Sequence, residues 1–155
     1  MKAAKHATVQ IAMAVLITLT FSAILFGPAW AKRLAVDVSV ANIRSGPSTE
    51  ESLLWKLERY TPIETLDTDE TGKWYYFKDF EGYKAWIHKN LVKNIDSVIT
   101  RKDDVNVRSG PGTRHDVLFR AEKGVPFKVL ERKENWIHIQ HADGDTGWIY
   151  KTLVW

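Results

Sequence analysis

The sequence predicts an all-β protein made of two small β-barrels in tandem. Three observations predict this fold: the chain repeats itself once, each copy consists of short segments with alternating polarity, and turn-forming residues separate those segments. No window carries an apolar stripe at the helical period of 3.6 residues that is long enough for a substantial helix. Because closure leaves no exposed sheet edge, a closed barrel is the expected architecture for short strands of this kind.

The first segment of the chain, Met1–Ala31, has the features of an export signal. It contains no Asp or Glu, it begins with two lysines, and an apolar run over 11–26 is ended by a Gly-Pro pair. Ala29 and Ala31 supply the small residues that signal peptidase requires. The apolar run is short for a membrane span and is interrupted by hydroxyl side chains. We therefore predict a cleaved signal helix, with an uncleaved N-terminal anchor as the alternative.

The rest of the chain is one unit written twice. Residues 42–49 read Asn-Ile-Arg-Ser-Gly-Pro-Ser-Thr, and residues 106–113, 64 positions later, read Asn-Val-Arg-Ser-Gly-Pro-Gly-Thr. After a loop that differs in length, a displacement of 62 relates the tryptophans of the two copies. We expect a leader over 1–31 and two domains over 32–95 and 96–155, joined by a short linker at Lys93–Ser97.

Each unit is predicted to contain five short strands, since valine, leucine and aromatic residues alternate there with polar ones. Turns are expected at the Ser-Gly-Pro strings, at Lys123-Gly124, at Asp69–Gly72 and at Asp143–Asp145. In chain order the predicted strands are Val36–Val40, Leu53–Leu57, Ile63–Leu66, Trp74–Phe80 and Lys84–Ile87, then Val105–Val107, Val117–Ala121, Phe127–Leu130, Trp136–His141 and Thr146–Ile149.

Composition excludes several classes of function. The chain has no cysteine, which excludes a disulfide scaffold, a thiolate zinc site and a cysteine nucleophile. Its net charge of +3 falls to +1 when the two lysines of the leader are removed, and the remaining charge forms no basic stripe. Nucleic-acid binding needs such a stripe to neutralise phosphates. We therefore expect no nucleic-acid partner.

The motifs of common enzymes are also missing from the sequence. No histidine pair has the spacing of a zinc peptidase, and His138 and His141 would point to opposite faces of one strand. The Asp143–Asp145 segment resembles a calcium loop only at its start, because Val154 stands where such a loop needs glutamate. We read it as a hairpin turn. We expect no cofactor, no metal and no catalytic centre.

The second unit resembles the bacterial SH3 (SH3b) domain. The resemblance rests on Val-Asn-Val-Arg-Ser-Gly-Pro-Gly-Thr at Val105–Thr113, on Lys123-Gly124 and on the closing Gly147-Trp148-Ile149. The first unit is similar but departs from the pattern at several positions, with Ser48 for Gly112, Arg59-Tyr60 for Lys123-Gly124 and Ala85 for Gly147. The resemblance implies two SH3-like barrels and a binding module of the cell envelope. Members of the family often direct peptidoglycan hydrolases to the wall, and others are stand-alone exported proteins.

Strand periodicity selects candidate binding residues. Ile137 and Ile139 are predicted to face the core of the second unit, as Tyr75 and Phe77 are in the first, so the residues between them face outward. Rigid aromatic side chains with polar neighbours suit sugar or peptide ligands, and arginine can pair with a carboxylate. The alternative places the tryptophans in the barrel cores and the arginines on turn carbonyls; Trp55 and Phe119 are expected to be packing residues. The candidate set is Arg44, Trp74, Tyr76, Trp86, Arg108, Trp136, His138 and Trp148.

Three hypotheses for function remain open: the two binding roles described next, and a small enzyme that acts on wall fragments, which no motif supports. The first is an exported, non-catalytic module that recognises peptidoglycan, by its stem peptide or its glycan, through paired aromatic grooves. The second is a periplasmic adaptor that docks a peptide of another envelope protein. Both place the mature chain in the periplasm or at the cell wall, without a membrane span once the leader is removed, and both leave the oligomeric state open. Two linked weak sites would gain avidity in either case.

Overall fold

The computed structural model describes residues 31–155, so the predicted leader lies outside the described residues except for Ala31. The described part forms two β-sheets and contains two 3₁₀ turns, at Lys89–Leu91 and Lys151–Leu153. The strands are β1 (Arg33–Val36), β2 (Val40–Arg44), β3 (Leu53–Glu58), β4 (Pro62–Thr68), β5 (Trp74–Lys78), β6 (Lys84–His88), β7 (Val92–Lys93), β8 (Ser97–Ile99), β9 (Val105–Arg108), β10 (Val117–Ala121), β11 (Pro126–Lys133), β12 (Trp136–Gln140) and β13 (Thr146–Tyr150).

The first barrel consists of strands β1 to β7 in the order β3-β2-β6-β5-β4-β1-β7. Strand β1 pairs with both β4 and β7, which brings the two ends of the unit together. In β2, exposed Val40 and Asn42 alternate with buried Ala41 and Ile43, as the period of two requires. The inward side chains form one core: Leu34, Val36, Ala41, Ile43, Ile63, Phe77, Ala85, Ile87 and Val92.

The second barrel repeats this arrangement with strands β8 to β13 in the order β10-β9-β13-β12-β11-β8. An isolated bridge between Thr100 and Val154 joins the end of the second barrel to the start of that barrel. It takes the place of the pairing between β7 and β1 in the first barrel. Phe119 is half-buried against the core, as Trp55 is in the first barrel, so both are packing residues as predicted. The core consists of Val98, Val105, Val107, Ala121, Phe127, Ile137, Ile139, Ile149 and Val154.

The predicted all-β fold with two tandem units is confirmed, but the two sheets have seven and six strands where five were predicted in each unit. The alternating run Val36–Val40 is not one strand, because the chain bends between the end of β1 and the start of β2. The connection between the sheets is shorter than predicted, since Lys93 ends β7 and Ser97 begins β8. All three residues of β8 are buried, so it lacks the alternation by which a strand is recognised in sequence.

The two barrels contact each other directly. The guanidinium carbon of Arg33 lies 4.0 Å from the centre of the Trp155 ring, which joins the first strand to the last residue. On the connecting segment, Asp96 accepts hydrogen bonds of 3.1 and 2.7 Å from Nε and Nη2 of Arg132. These contacts limit the freedom of the short connection between the sheets.

Candidate ligand-binding grooves

Backbone register aligns most of the predicted site residues into one row on each barrel. Directly paired residues of antiparallel strands project from the same face of the sheet. Each row crosses five strands and begins with an exposed apolar residue and ends with an acidic one. The first row is Leu53, Arg44, Trp86, Tyr76 and Asp67, and the second is Val117, Arg108, Trp148, His138 and Glu131.

The central pair of each row consists of two rings in close contact. His138 lies parallel to Trp148, with 4.8 Å between ring centres and an interplanar angle of 11°. Tyr76 and Trp86 lie 5.1 Å apart and are tilted by 40°. All four side chains are half-buried, so each row presents a flat aromatic surface to solvent. Such a surface suits the flat faces of sugars or peptide groups.

The two arginines of these rows are held by turn carbonyls. Nη1 of Arg44 donates to the carbonyl oxygen of Glu51 at 2.7 Å, and Nη1 of Arg108 donates to that of His115 at 2.8 Å. The turn that Arg108 closes packs tightly against the His115 side chain, because a Cβ at Gly110 would lie 2.6 Å from Nδ1 of His115. The structural role that the sequence left open is therefore present in both arginines. It ties each guanidinium to the turn that follows its strand.

Trp136 lies next to the row of the second barrel and lines a groove there. Its ring meets that of Tyr150 edge to face at 5.4 Å, because the two residues are directly paired between β12 and β13. The Trp136 groove has a volume of about 400 Å³. It is lined by Lys102, Asp104, Val105, Asn106, Arg108, Thr113, Trp136, Tyr150 and Leu153.

Asn106 gives this groove an unpaired hydrogen-bond acceptor. Its Oδ1 atom is buried and has no hydrogen-bond partner, although Asn106 as a whole is only half-buried. A buried acceptor without a donor costs about 1–3 kcal/mol, so such atoms are rare. Because Oδ1 has almost no exposed surface, a ligand N–H or O–H group would reach it, and recover that cost, only after the Asn106 side chain turned toward the groove.

The equivalent position in the first barrel is closed, and the prediction that Trp74 is an exposed aromatic is wrong. Trp74 is 7% exposed and meets His88 edge to face at 5.1 Å. The loop before it is longer than in the second unit, and Asp69 holds that loop against the start of β5. Its Oδ1 accepts from the backbone N–H of Trp74 at 2.7 Å. Although burial would raise the pKa of Asp69, the hydrogen bonds from Thr71 and from the backbone outweigh it and lower that pKa.

The structure thus brings Arg108 and Trp136 into one groove, and it sets His138 and Trp148 in the row beside it. Arg44, Tyr76 and Trp86 form the matching row of the first barrel without an open groove around Trp74. Sequence reasoning missed Asn106 and Tyr150. Tyr150 was accessible to it, since Tyr150 follows Trp148 by two residues and so shares its face. The unpaired state of Asn106 depends on tertiary packing and leaves no mark in the sequence.

Over residues 31–155 the structure contains no group of three His, Asp or Glu side chains that would hold a metal ion. The same part of the chain contains no helix long and apolar enough to cross a membrane. The Asp143–Asp145 segment forms the turn between β12 and β13, where Gly144 has a φ of 107° and Oδ1 of Asp143 accepts from the N–H of Asp145. This agrees with the predicted hairpin.

Comparison with curated proteins finds relatives named as cell-wall enzymes. The chain is 28% identical over 127 residues to a Bacillus subtilis protein named as an N-acetylmuramoyl-L-alanine amidase, YrvJ, covering 73% of this chain and 23% of that protein. It is 36% identical over 61 residues to a Staphylococcus epidermidis protein named as a cell wall amidase, LytH, covering 39% of this chain and 21% of that one. The chain therefore spans less than a quarter of the length of these relatives.

Among solved structures, a Bacillus cereus protein of the NlpC/P60 family aligns with 80% of this chain and 56% of its own, with a TM-score of 0.38 and 14% identity. NlpC2 of Trichomonas vaginalis aligns with 81% of this chain and 48% of its own, with a TM-score of 0.36 and 10% identity. Family comparison is more specific. Residues 39–93 and residues 101–155 each match a family described as Bacterial SH3 domain. The chain belongs to the bacterial SH3 family and carries two of its domains in tandem.

Proposed function

We propose that the mature chain is an exported, non-catalytic module of the cell envelope that binds peptidoglycan. The Trp136 groove of the second barrel is the main site in this proposal, and the outer row of the first barrel adds weaker contacts. The leader would occupy 1–31, the two domains 32–95 and 96–155, and the processed protein the periplasm or the cell wall.

The curated relatives support a role at the wall rather than in catalysis. Two proteins named as wall amidases share with this chain a segment that is less than a quarter of their own length. The part of this chain that the structure describes is taken up by two SH3 domains, and it holds no grouping of side chains with the spacing of a metallopeptidase. A shared binding segment is the simplest interpretation of that overlap.

The buried Oδ1 atom of Asn106 is the observation that carries the choice of ligand. Once the Asn106 side chain turns toward the groove, its Oδ1 atom would accept from a ligand N–H group, and the rings of Trp136 and Tyr150 on the same groove favour flat faces. Peptide N–H groups and acetamido N–H groups meet both requirements, and peptidoglycan offers one in its stem peptides and the other in its glycan. Loss of the unpaired-acceptor cost on binding would favour such a ligand over a purely apolar one.

Sedimentation with purified insoluble peptidoglycan tests this proposal. The chain from Lys32 to Trp155 is expected to pellet with the wall, and Tyr150→Ala is expected to reduce the pelleted fraction strongly. Tyr83→Ala is the matched control, because it removes a tyrosine ring of the first barrel that is 63% exposed and lies outside the groove. A wild-type chain that stays in solution contradicts wall binding and leaves the adaptor hypothesis, in which the same grooves hold a peptide of another envelope protein.

The non-catalytic part of the proposal has a separate test. Incubation of the chain with dye-labelled peptidoglycan is expected to release no soluble label above a buffer control. Release that persists after removal of all four histidines of the two domains, and that disappears on unfolding, would show a catalytic activity that the proposal denies. Binding and turnover can then be scored independently of each other.

A further inference from the structure

A second cavity lies at the opposite side of the second barrel and takes no part in the proposed wall site. This end pocket has a volume of about 340 Å³, and its floor is formed by Phe119 and Phe127, whose ring centres are 6.5 Å apart. His141 meets Phe127 edge to face at 5.6 Å. Asp143 and Asp145 stand at its rim. Glu122 adds a third carboxylate, and the one arginine of the lining, Arg120, is paired with Asp104, so the end pocket combines an aromatic floor with a mainly acidic lining.

The first barrel shows what fits in this position. The repeat relates Phe119 to Trp55 and Asp145 to Tyr83. In the first barrel the ring of Tyr83 lies edge-on to Trp55 at 6.3 Å, so an aromatic side chain covers the equivalent floor. Asp145 carries no ring, and the floor of the second barrel is left uncovered. The end pocket is thus shaped for an aromatic side chain that its own barrel does not supply.

The contact between the two barrels shows what docks beside that position. Lys123 forms an ion pair with Glu81 and its ammonium lies 5.8 Å from the centre of the Phe80 ring. Gly124 lies against the same ring, since a Cβ on it would be 3.7 Å from Phe80. Hydrogen bonding to Glu81 raises the pKa of Lys123, so its ammonium group is charged at neutral pH. A turn of the second barrel, with a cation at its tip, is therefore seated on the β5–β6 turn of the first.

The second barrel repeats the receiving surface and has no third barrel to cover it within the described residues. Asp143 stands at the position of Glu81 and Ala142 at that of Phe80. The backbone N–H of Asp145 and the side chain of His141 lower the pKa of Asp143, so its carboxylate stays charged. The smaller Ala142 leaves more room than Phe80 does. The charge of Asp143 therefore favours a cation in the docked turn, and the space beside Ala142 favours a side chain larger than that of glycine.

The first barrel carries a turn with both features. Arg59-Tyr60 occupies the position of Lys123-Gly124, and the Arg59 guanidinium lies 5.4 Å from the centre of the Tyr60 ring. Arg59 is exposed and its contact with Asp37 is long, at 3.9 Å. Tyr60 holds the left-handed conformation of Gly124, with φ values of 70° and 83° respectively. A side chain pays a conformational cost there that glycine does not.

We propose that a second copy of this chain inserts its Arg59-Tyr60 turn into the end pocket, with Tyr60 over Phe119 and Arg59 facing Asp143. The contact repeats between molecules the one that Lys123-Gly124 makes with Phe80 and Glu81 inside the chain. It joins unlike surfaces, so each bound pair leaves one turn and one pocket free, and assembly continues head to tail. The inference does not depend on wall binding, but a row of linked copies would multiply any weak wall contact.

Sedimentation velocity over a range of concentrations tests the assembly, with two variants that each copy a residue from the other barrel. Tyr60→Gly installs the residue found at position 124 and removes the inserted ring. Asp145→Tyr installs the residue found at position 83 and fills the pocket. The wild-type chain is expected to form oligomers that grow with concentration and shrink with added salt, and each variant alone is expected to be monomeric.

A mixture of the two variants gives the decisive result. Tyr60→Gly keeps a working pocket and Asp145→Tyr keeps a working turn, so an equimolar mixture is expected to form a one-to-one dimer and nothing larger. Asp116→Tyr adds the same ring outside the pocket and is expected to assemble like the wild type. A wild-type chain that stays monomeric at every soluble concentration overturns the proposal, as does a mixture that stays monomeric while the wild type assembles.

Discussion

The two barrels have separate but similar cores, and they differ more at their surfaces. Each interior holds one phenylalanine among isoleucines and valines, but on different strands: Phe77 lies on β5, at the position of Ile139, and Phe127 lies on β11, at the position of Ile63. The aromatic position beside the outer row diverges, since Trp74 is 7% exposed whereas Trp136 is half-buried in an open groove. The end of the barrel diverges as well, because Tyr83 covers Trp55 and Asp145 leaves Phe119 uncovered.

The direction of these differences is the same at both places. The first barrel closes with its own side chains the surfaces that the second barrel leaves open. Duplication preserves packing, because a core tolerates little change in volume, while surface positions are free to lose or gain a covering group. Under the proposed function, ligand contacts would therefore lie mainly in the second barrel, and the first barrel would have a supporting role.

The largest expected effect separates the two related tryptophans by stability. Trp74→Ala removes a buried ring and is expected to lower the free energy of unfolding by about 3–5 kcal/mol. Trp136→Ala removes a half-buried ring and is expected to cost roughly half as much. Urea unfolding followed by hydrogen exchange, which reports on each barrel separately, measures both. Equal losses for the two variants would mean that Trp74 and Trp136 play the same structural part, against the comparison.

A smaller effect is expected where the barrels differ by one methyl group. Gly147 packs so closely that a Cβ there would clash with Cγ1 of Val107 and lie 3.1 Å from the carbonyl oxygen of Arg108, whereas the first barrel holds Ala85 at this position. Gly147→Ala is expected to destabilise the second barrel by about 1–3 kcal/mol through overpacking. The reciprocal Ala85→Gly is expected to cost about 1 kcal/mol, from a strand glycine and a small void. Thermal unfolding compares them, and a neutral Gly147→Ala would show that the second barrel can relax.

Much of this architecture is readable from the sequence, because it follows from local patterns. The repeat and the alternation of Ile137 and Ile139 with polar residues predict the barrels and their inward faces correctly. The burial of Trp74 is not readable in this way. It is a property of the folded barrel, in which the Trp74 ring lies against His88 and Asp69 bonds the backbone of Trp74, and no periodicity records it. The same holds for β8, whose buried residues lack a polar face to alternate with.

The candidate site divides along the same line. Residues on one strand face, such as Trp136 and His138, follow from the period of two, and their neighbours Arg108 and Trp148 follow from the repeat. The groove itself needs the register between strands, which sets Tyr150 opposite Trp136 and leaves Asn106 without a partner. Register and hydrogen-bond satisfaction are properties of the folded sheet, so the sequence predicts the residue types but not the cavity.

The next effect has opposite signs on stability and binding. Asn106→Leu removes the unpaired buried acceptor and is expected to raise the free energy of unfolding by about 1 kcal/mol. The same change removes the Oδ1 atom that is proposed to accept a hydrogen bond from the ligand, so the fraction that pellets with peptidoglycan is expected to fall. The exposed Asn42 of the first barrel provides the matched control, and Asn42→Leu is expected to change neither quantity appreciably. A fall in both stability and binding for Asn106→Leu would show that its amide is satisfied in solution.

The smallest effect concerns acid stability and is confined to the first barrel. A hydrogen bond from Lys93, with Nζ 2.5 Å from Oδ2, lowers the pKa of Asp37 below its ordinary value of 3.8, whereas the repeat places Arg101 at this position in the second barrel. A carboxyl whose pKa is lower in the folded state stabilises the fold above the unfolded-state value, and this stabilisation is lost as the pH falls through the folded-state value. Asp37→Asn is therefore expected to be less stable than the wild type near neutral pH and to lose less stability below about pH 4. Because Asp37 is at the surface and salt screens the pair, the difference is expected to shrink at high ionic strength.

Urea midpoints of the wild type and Asp37→Asn at several pH values measure this difference in stability, with Asp116→Asn of the second barrel as the control. Parallel pH profiles for Asp37→Asn and the wild type would mean that the Lys93 contact adds no stability to the first barrel. The contact would then give no difference in acid stability between the two barrels.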